Sequence, residues 1–445
     1  MSQQAQDNVV FTVQPRGRFS GRLRVPGDKS VSHRSVMLGA LAEGVTEIHG
    51  LLEGEDVLAT LRAFRAMGIE ADGPKDGELR IAGRGLNGLQ PPDEPLDLGN
   101  SGTAMRLMCG LLAGQPFDSV LVGDESLNRR PMRRVTEPLT AMGARIDTAE
   151  GGTAPLRIRG GQPLSGIDYE MPVASAQVKS CLLLAGLYAQ GRTCVTEPAP
   201  TRDHTERMLQ GFGYPVERAA GRACVTGGGG LRGGAVDVPA DISSAAFFLV
   251  GASIAPGSDL TLEHVGVNPT RTGVIDILRR MGADIQVLDE REVGGEPVAD
   301  LRVRHAPLRG ITIPRELVPL AIDEFPVLFV AAACAEGETV LEGAEELRFK
   351  ESDRIQVMAD GLNAIGVEAT PRRDGIRIVG GGVSGGRVAA HGDHRIAMAF
   401  AVAGSVAEGP IRVDDCANVA TSFPAFPDMA RRCGLAIDVA REVSS

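Results

Sequence analysis

Hydroxyl, amide and cationic side chains recur in this sequence where apolar helices are expected to begin. A helix N-terminus carries unpaired N–H groups and the positive end of the helix dipole, so it attracts anions. We therefore predict a site for a small, multiply anionic substrate. The segments concerned are Gly27-Asp28-Lys29-Ser30 with Ser32 and Arg34, Gly99-Asn100-Ser101-Gly102-Thr103 with Arg106, and Ser175-Ala176-Gln177 with Lys179.

Lysine is rare in this chain, which makes its positions informative. Only four of the 46 basic residues are lysines, and Lys29, Lys179 and Lys350 fall within motif-like segments. Lysine supplies a compact donor whose pKa responds to burial, whereas arginine supplies a fixed fork for carboxylate or phosphate. The alternative for Lys29 and Lys179 is an ordinary surface lysine.

Charged segments in the second half of the chain also lie where helices are expected to begin. Asp323-Glu324 precedes the apolar segment Phe325–Ala335, and Lys350-Glu351-Ser352-Asp353-Arg354 precedes another helix. Gly392-Asp393-His394-Arg395 repeats the pattern at a third helix start. The alternatives are that the acids only complement helix dipoles and that the charge run is a solvated face. Asn128-Arg129-Arg130-Pro131 fits an exposed loop equally well.

Composition and spacing disfavour several other classes of protein. The formal net charge of −11 argues against nucleic-acid binding. The longest apolar stretches are shorter than the ~20 residues of a membrane span, and the N-terminus has no signal sequence, so we expect a cytoplasmic protein. Seven cysteines without paired spacing predict reduced thiols. An isolated His391-x-x-His394 does not indicate zinc, and the glycine-rich run Gly228–Gly233 precedes a strand rather than a dinucleotide-binding helix.

A repeated helix ending defines the architecture. An apolar residue followed by glycine ends six amphipathic helices, at Met67-Gly68, Met142-Gly143, Phe212-Gly213, Met281-Gly282, Ile365-Gly366 and Cys433-Gly434. Glycine suits the left-handed residue that follows a helix. A second series of nearly apolar helices alternates with these, and short strands separate them. Each unit therefore has the pattern β-α-β-α-β-β.

Six such units predict an α/β fold, a two-domain inside-out α/β barrel with buried central helices and sheets outside. The N-terminus begins with the strand pair Phe11–Gln14 and Arg22–Val25, whereas the C-terminus stops after Leu435–Val439, so the sixth unit is split between both ends. We predict a discontinuous domain of residues 1–26 and 240–445 and an inserted domain of residues 27–239. The active site is expected in the cleft between them.

Five ordered motifs make the chain resemble the 5-enolpyruvylshikimate-3-phosphate synthase family from about residue 11 to residue 439. The resemblance implies that family's two-domain fold of six units. It also implies transfer of the carboxyvinyl group of phosphoenolpyruvate to the 5-hydroxyl of shikimate 3-phosphate, through a tetrahedral ketal, with no metal or organic cofactor. The motifs are Gly27-Asp28-Lys29-Ser30-Val31-Ser32-His33-Arg34, Gly99-Asn100-Ser101-Gly102-Thr103-Ala104-Met105-Arg106, Arg130-Pro131-Met132, Lys350-Glu351-Ser352-Asp353-Arg354 and Asp393-His394-Arg395-Ile396-Ala397-Met398.

The resemblance also implies residue roles. Shikimate 3-phosphate binding falls to Lys29, Ser30, Arg34, Ser175, Ala176, Gln177, Arg202, Asp323 and Lys350. Phosphoenolpyruvate binding falls to Lys29, Asn100, Gly102, Thr103, Arg130, Gln177, Arg354 and Arg395. As a hypothesis for the chemistry, Asp323 accepts the hydroxyl proton, Glu351 protonates the methylene carbon and Lys29 stabilises the departing phosphate.

The chain departs from the family pattern in two places. Many relatives have a lysine directly before the Thr/Ser-Phe-Pro motif, but Thr421-Ser422-Phe423-Pro424 has none. Glu345-Glu346-Leu347-Arg348 resembles the branch that includes glyphosate-tolerant enzymes. Gly102 nevertheless stands where certain tolerant members have alanine, so we expect inhibition by glyphosate.

Two alternatives for the function remain at this point. The sister enzymes that act on UDP-N-acetylglucosamine usually have a cysteine in the loop before their Arg-Pro pair, and Gly123–Arg130 contains none. A non-catalytic anion-binding protein on the same repeats is the second alternative. We expect a monomer with small-molecule substrates as its partners, and neither nucleic acid nor membrane.

Overall fold

The computed structural model describes residues 8–442 of the 445-residue chain, and it divides into two compact units. Unit 1 comprises the N-terminal segment to Pro26, then Ala240–Arg291, then Pro297 to the C-terminal segment. Unit 2 comprises Gly27–Pro239 and the short segment Glu292–Glu296. The outer limits of the predicted discontinuous domain, residues 1 and 445, lie outside the described residues.

Residues 8–442 form 13 α-helices and three short 3-10 helices. The α-helices are α1 (Lys29–Leu41), α2 (Glu55–Ala66), α3 (Gly102–Ala113), α4 (Glu125–Asn128), α5 (Arg133–Ala141), α6 (Ala176–Gly186), α7 (His204–Gly211), α8 (Ile242–Ile254), α9 (Gly273–Arg280), α10 (Phe325–Cys334), α11 (Arg354–Ala364), α12 (His394–Ala403) and α13 (Phe426–Cys433). The 3-10 helices are Arg315–Leu317, Glu345–Phe349 and Ala417–Thr421.

The same residues form 24 strands. In the first half these are β1 (Asn8–Val13), β2 (Ser20–Leu23), β3 (Ala42–His49), β4 (Glu70–Lys75), β5 (Glu78–Arg84), β6 (Leu96–Asp97), β7 (Ser119–Val122), β8 (Arg145–Ala149), β9 (Thr153–Arg159), β10 (Asp168–Glu170), β11 (Arg192–Thr196), β12 (Glu217–Ala219) and β13 (Arg222–Thr226). The remaining strands are β14 (Leu231–Arg232), β15 (Ala235–Asp237), β16 (Asp259–Gly266), β17 (Asp284–Val293), β18 (Glu296–Arg304), β19 (Glu338–Leu341), β20 (Glu368–Arg372), β21 (Gly375–Val379), β22 (Gly386–Ala389), β23 (Ile411–Asp414) and β24 (Ile437–Glu442).

Each unit buries three helices at its centre. Helices α1, α3 and α6 fill unit 2, and α8, α10 and α12 fill unit 1. All 13 residues of α8 are buried, because this helix is apolar or small all round and has no face suited to water. The predicted buried central helices are confirmed.

Six sheets pack against these helices; five combine parallel and antiparallel pairing, whereas the three-stranded sheet β19-β21-β20 is antiparallel. In the order β10-β11-β13-β12, the first pair is parallel and the next two are antiparallel. The order β22-β23-β1-β24 repeats this pattern with the N-terminal strand inside it. Val13 pairs with Ile411 on one side and Ile437 on the other, so the predicted split of the sixth unit is confirmed.

The predicted helix endings agree with the backbone, and one predicted strand does not. The six glycines after the outer helices have φ between +80° and +111°, the left-handed region that a Cβ would disfavour. The repeat predicts a pair of strands before each central helix, including one at residues 311–313, but Thr312 forms only an isolated bridge with Val340.

The prediction that all cysteines are reduced thiols is wrong for one pair. Cys194 on β11 and Cys224 on β13 lie directly opposite in the antiparallel register and form a disulfide, with their Cα atoms 4.1 Å apart. The two residues are 30 positions apart, so only the pairing of the strands brings them together. The other five cysteines are free, and burial raises the pKa of the Cys109 thiol to about 12.

Between residues 8 and 442, no helix combines the length and the apolar character needed to cross a bilayer. The same residues contain no group of three or more His, Cys, Asp or Glu side chains arranged to hold a metal ion.

Candidate active site

Helix α1 begins beside Lys29 because Asp28 caps it. The Asp28 carboxylate accepts a hydrogen bond from the backbone N–H of Val31 at 2.8 Å. Lys29 Nζ forms an ion pair with Asp56 in the first turn of α2. The ion pair holds the Lys29 ammonium group in place, and the side chain as a whole keeps 20% of its surface exposed.

Arg34 lies one turn further along α1 and is buried. Its Nε donates to Thr205 Oγ1 at 2.7 Å, its Nη1 to the Ser30 carbonyl at 2.9 Å and its Nη2 to Ser180 Oγ at 2.8 Å. Burial lowers the pKa of the Arg34 guanidinium to about 10, which still leaves it charged at pH 7. Arg202 Nη1 approaches Ser30 Oγ at 3.5 Å, so the predicted residues Ser30, Arg34 and Arg202 lie together.

Helix α3 presents the second predicted helix start. Ser101 caps it by accepting a backbone hydrogen bond at 3.1 Å. Asn100 Oδ1 accepts a hydrogen bond from Arg130 Nη2 at 2.8 Å, which holds the guanidinium at this end of the helix. A Cβ added to Gly102 would lie 3.0 Å from Arg106 Nη1 and 3.1 Å from Arg130 Nη1. Because Gly102 has no side chain, the guanidinium groups of Arg106 and Arg130 can lie close to the first residue of α3.

Gln177 joins the start of α6 to α3. Its Nε2 donates to Thr103 Oγ1 at 3.0 Å, and its Oε1 accepts from Arg106 Nη1 at 2.7 Å. Ser175 caps α6 by accepting a backbone hydrogen bond at 3.3 Å, and Ala176 is the first helical residue. The predicted residues at the starts of α3 and α6 thus form one hydrogen-bonded group.

His33 connects α1 with α2 and α3. Its Nδ1 lies 2.8 Å from Thr60 Oγ1, and its Nε2 lies 3.4 Å from Ser101 Oγ. Burial, together with the charges of Lys29 and Arg34, lowers the pKa of His33 well below its usual value. The ring is therefore neutral at pH 7 and offers one donor and one acceptor without adding charge.

Arg354 is the centre of the corresponding cluster in unit 1. It begins α11, and its side chain is 1% exposed. Its Nε donates to Asp393 Oδ2 at 2.8 Å, its Nη2 donates to Glu351 Oε2 at 2.7 Å, and its Nη1 lies 3.5 Å from Asp323 Oδ1. Burial disfavours the charged guanidinium, but Asp393 and Glu351 outweigh burial and raise the pKa of Arg354 above its ordinary value.

Lys350 and Arg395 complete this cluster. Lys350 Nζ lies 3.5 Å from Asp323 Oδ1. Arg395 Nη1 lies 4.0 Å from Glu324 Oε1, next to Asp323 in the chain. The predicted residues of the second half are therefore neighbours in unit 1, namely Asp323, Lys350, Glu351, Arg354 and Arg395.

Three further charged residues take part to which the resemblance assigned no role. Arg106 and Asp393 had been named at predicted helix starts and lie inside the quoted motifs, so the sequence did contain a signal for them. Asp56 had no such signal, because an acid in the first turn of a helix is an ordinary partner of the helix dipole. Its ion pair with Lys29 depends on how α1 and α2 pack.

Comparisons with known proteins decide the family. The sequence model of EPSP synthase (3-phosphoshikimate 1-carboxyvinyltransferase) matches residues 13–429. The 3-phosphoshikimate 1-carboxyvinyltransferase of Alkalilimnicola ehrlichii is 73% identical over 430 residues, which cover 96% of both chains. The chain belongs to the EPSP synthase family. The enzyme of the same name from Methylococcus capsulatus is 70% identical over 432 residues, 97% of this chain and 99% of that one.

Solved structures extend the EPSP synthase relationship to the fold. A structure of EPSP synthase from Acinetobacter baumannii matches with a TM-score of 0.88 and 57% identity, over 97% of this chain and all of that one. A second structure of EPSP synthase from the same organism matches with a TM-score of 0.87. The predicted fold class and the predicted family of transferases are confirmed.

Proposed function

We propose that this chain transfers the carboxyvinyl group of phosphoenolpyruvate to the 5-hydroxyl of shikimate 3-phosphate. The products are phosphate and 5-O-(1-carboxyvinyl)-3-phosphoshikimate, in the shikimate pathway to aromatic amino acids. The observation that carries the proposal is the 73% identity to a 3-phosphoshikimate 1-carboxyvinyltransferase over 96% of both chains. The cationic helix starts of unit 2 support it, because both substrates are anions.

The shikimate 3-phosphate subsite would centre on Ser30, Arg34 and Arg202. These residues are within hydrogen-bond reach of one another beside the start of α1. A phosphate there would gain from a guanidinium fork and from the dipole of α1. Further contacts would come from Lys29, Ser175, Ala176 and Gln177 in unit 2 and from Asp323 and Lys350 in unit 1.

The phosphoenolpyruvate subsite would use the group around α3. Arg130 is held by Asn100, and Gln177 is held by Thr103 and Arg106, so these side chains are ordered before the ligand arrives. Gly102 would leave room for the ligand at the helix start. Lys29 from α1, with Arg354 and Arg395 from unit 1, would supply further positive charge.

The chemistry would proceed by addition and elimination. Asp323 would take the proton of the 5-hydroxyl as its oxygen bonds to C2 of phosphoenolpyruvate, while Glu351 would protonate the methylene carbon to give the tetrahedral ketal. Elimination would return a methyl proton to Glu351 and break the C2–O bond to phosphate, and the proton taken by Asp323 would pass to the departing phosphate. Lys29 would stabilise the negative charge of the departing phosphate.

Phosphate release tests the function directly. We expect phosphate only when the chain, shikimate 3-phosphate and phosphoenolpyruvate are all present, and no release when either substrate is omitted. A parallel reaction with UDP-N-acetylglucosamine as acceptor should give none. Turnover of the nucleotide sugar without turnover of shikimate 3-phosphate would overturn the proposal.

The role of Glu351 has its own test. Replacing Glu351 by Gln keeps the size of the side chain and removes the proton donor, so turnover should fall by about 10²-fold or more while the dissociation constant of shikimate 3-phosphate changes little. Glu345→Gln is the matched control, because Glu345 is a half-exposed acid whose Oε1 lies 3.4 Å from Nε of the exposed Arg373. Unchanged turnover of Glu351→Gln would remove Glu351 from the mechanism.

Four further statements belong to this proposal. The protein acts in the cytoplasm, as a monomer, without a metal or an organic cofactor. It is inhibited by glyphosate, which would occupy the phosphoenolpyruvate subsite beside Gly102. Size-exclusion chromatography tests the monomer, and retained activity after treatment with a chelator tests the absence of a metal requirement.

A further inference from the structure

Lys179 is the most buried lysine of the described chain, and none of the roles above uses it. It lies on α6 one turn after Ser175, with its side chain 3% exposed. Its Nζ lies 2.8 Å from Glu206 Oε1 and 3.1 Å from Glu197 Oε2, and both acids are themselves buried or nearly so. Three charged side chains thus share one site inside unit 2.

A buried charge cluster of this kind is costly to form. Removing charges from water is only offset where the partners are close and well oriented. This cluster contains two carboxylates and one ammonium, so its net charge is −1. Without Lys179, two carboxylates would be left close together and uncompensated, which makes Lys179 the residue that holds the cluster together.

The cluster connects to the Arg202 loop through Glu197. Glu197 follows β11 directly, and its Oε2 accepts a hydrogen bond from Thr201 Oγ1 at 2.5 Å. Thr201 immediately precedes Arg202, whose Nη1 reaches Ser30 Oγ at 3.5 Å. The position of Arg202 therefore depends on a hydrogen bond to an acid that Lys179 holds.

The cluster connects to Arg34 through Glu206. Glu206 lies on α7 next to Thr205, which accepts a hydrogen bond from Arg34 Nε at 2.7 Å. Thr205 Oγ1 also donates to Ser180 Oγ at 2.7 Å, and Ser180 follows Lys179 on α6. Helix α7 and helix α6 thus meet both at the ion cluster and at the hydroxyl pair that holds Arg34.

We infer that Lys179 is a positioning residue for the shikimate 3-phosphate subsite, acting through Glu197 on Arg202 and through Glu206 on Arg34. This inference rests on the proposed function. Lys179 itself is not expected to contact the substrate. Its two effects are to fix the orientation of two phosphate-binding arginines and to neutralise carboxylates that would otherwise repel an anionic ligand.

The test is the binding of shikimate 3-phosphate and the steady-state kinetics of Lys179→Met in the full-length protein. We expect the dissociation constant and the KM for shikimate 3-phosphate to rise about tenfold to about 100-fold, because displacement of binding groups by about 1 Å has effects of this size. The KM for phosphoenolpyruvate should change less than about twofold. Lys75→Met is the matched control, because Lys75 is an exposed lysine of the same unit.

Compensating variants separate positioning from general damage to the fold. Lys179→Met combined with Glu206→Gln restores the net charge of −1, so it should recover part of the lost affinity for shikimate 3-phosphate. Lys179→Arg keeps the charge and should recover more. If Lys179→Met does not fold, Glu197→Gln supplies the test. It removes the charge by which Lys179 holds this side chain and so weakens the anchor of the Arg202 loop. It should raise the dissociation constant of shikimate 3-phosphate without changing the KM for phosphoenolpyruvate.

Two results would overturn the inference. One is that folded Lys179→Met has a dissociation constant for shikimate 3-phosphate within twofold of the wild-type value. If Lys179→Met does not fold, the same result for Glu197→Gln counts instead. The other is an equal rise in the constants for both substrates, with no recovery in the compensated variants. A wild-type protein that neither binds shikimate 3-phosphate nor releases phosphate would instead refute the proposed function, so the two failures are distinguishable.

Discussion

Adding one methyl group at Gly102 should weaken phosphoenolpyruvate binding while leaving the fold intact. Gly102 is the first residue of α3, and its φ is not in the left-handed region, so alanine fits the backbone. The new Cβ would lie 3.0 Å from Arg106 Nη1 and 3.1 Å from Arg130 Nη1, closer than ordinary van der Waals contact. Both arginine ends must then move by a few tenths of an ångström.

The size of the effect follows from the bonds that these movements disturb. Arg130 donates to Asn100 at 2.8 Å and Arg106 to Gln177 at 2.7 Å. A hydrogen bond to a charged group contributes about 1.5–3 kcal/mol, and a small displacement weakens it without breaking it. We therefore expect a loss of about 1 kcal/mol, which is about a fivefold rise in the KM for phosphoenolpyruvate. Alanine is a better helix former than glycine by about 0.5–1 kcal/mol, so stability should not fall.

The measurement is steady-state phosphate release with each substrate varied in turn, together with thermal unfolding. The KM for shikimate 3-phosphate should stay within about twofold, and the inhibition constant of glyphosate should rise more than the KM for phosphoenolpyruvate, because the inhibitor is longer. Gly211→Ala is the matched control, since the nearest atom to its new Cβ is 3.8 Å away. Equal inhibition constants for Gly102→Ala and the wild type would refute the steric reasoning.

Two further predictions concern buried polar groups. Asp393→Asn should lower the free energy of unfolding by about 3 kcal/mol in urea titrations at pH 7, because it removes the charged partner of the buried Arg354. The control is Asp428→Asn at an exposed position, which should change the free energy of unfolding by less than about 0.5 kcal/mol. Equal changes for the two variants would contradict the prediction. The second prediction concerns His33, whose pKa lies well below about 6.5 in the folded protein. As the pH falls, the unfolded chain therefore takes up the His33 proton before the folded protein does. The free energy of unfolding of the wild type should consequently fall by about 1 kcal/mol between pH 7 and pH 5.5. His33→Asn should lack this loss, while a variant of the exposed His49 should retain it, and a pH dependence identical in wild type and His33→Asn would exclude His33 as the cause.

Local signals in the sequence predicted the repeated elements well. Glycine after the outer helices, a capping side chain before five of the six buried helices and apolar residues on all sides of the central helices are features that neighbouring residues determine. The start of α1 illustrates this, since Asp28 caps the helix that Lys29 begins. The candidate residues at the helix starts could therefore be found before the structure was known.

Contacts between distant segments could not be predicted in the same way. Lys29 and Asp56 are 27 residues apart, and Arg34 and Thr205 are 171 residues apart. Their pairing depends on how helices pack, and one sequence contains no record of that packing. The disulfide of Cys194 has the same origin, because only the register of β11 against β13 places its partner opposite.

The arginines of the two groups of candidate residues also differ in their recorded hydrogen-bond acceptors, which indicates a division of tasks. In unit 2, Arg34, Arg106 and Arg130 donate to hydroxyl, carbonyl and amide oxygens that orient their guanidinium groups, while Lys29 pairs with the carboxylate of Asp56. In unit 1, Lys350 and Arg354 face carboxylates within 3.5 Å, so much of their charge is already balanced. Oriented cations favour the binding of anions, whereas carboxylates held by cations favour proton transfer at fixed positions. Substitutions in the first group should therefore mainly raise substrate KM values, and substitutions of Asp323 or Glu351 should mainly lower turnover.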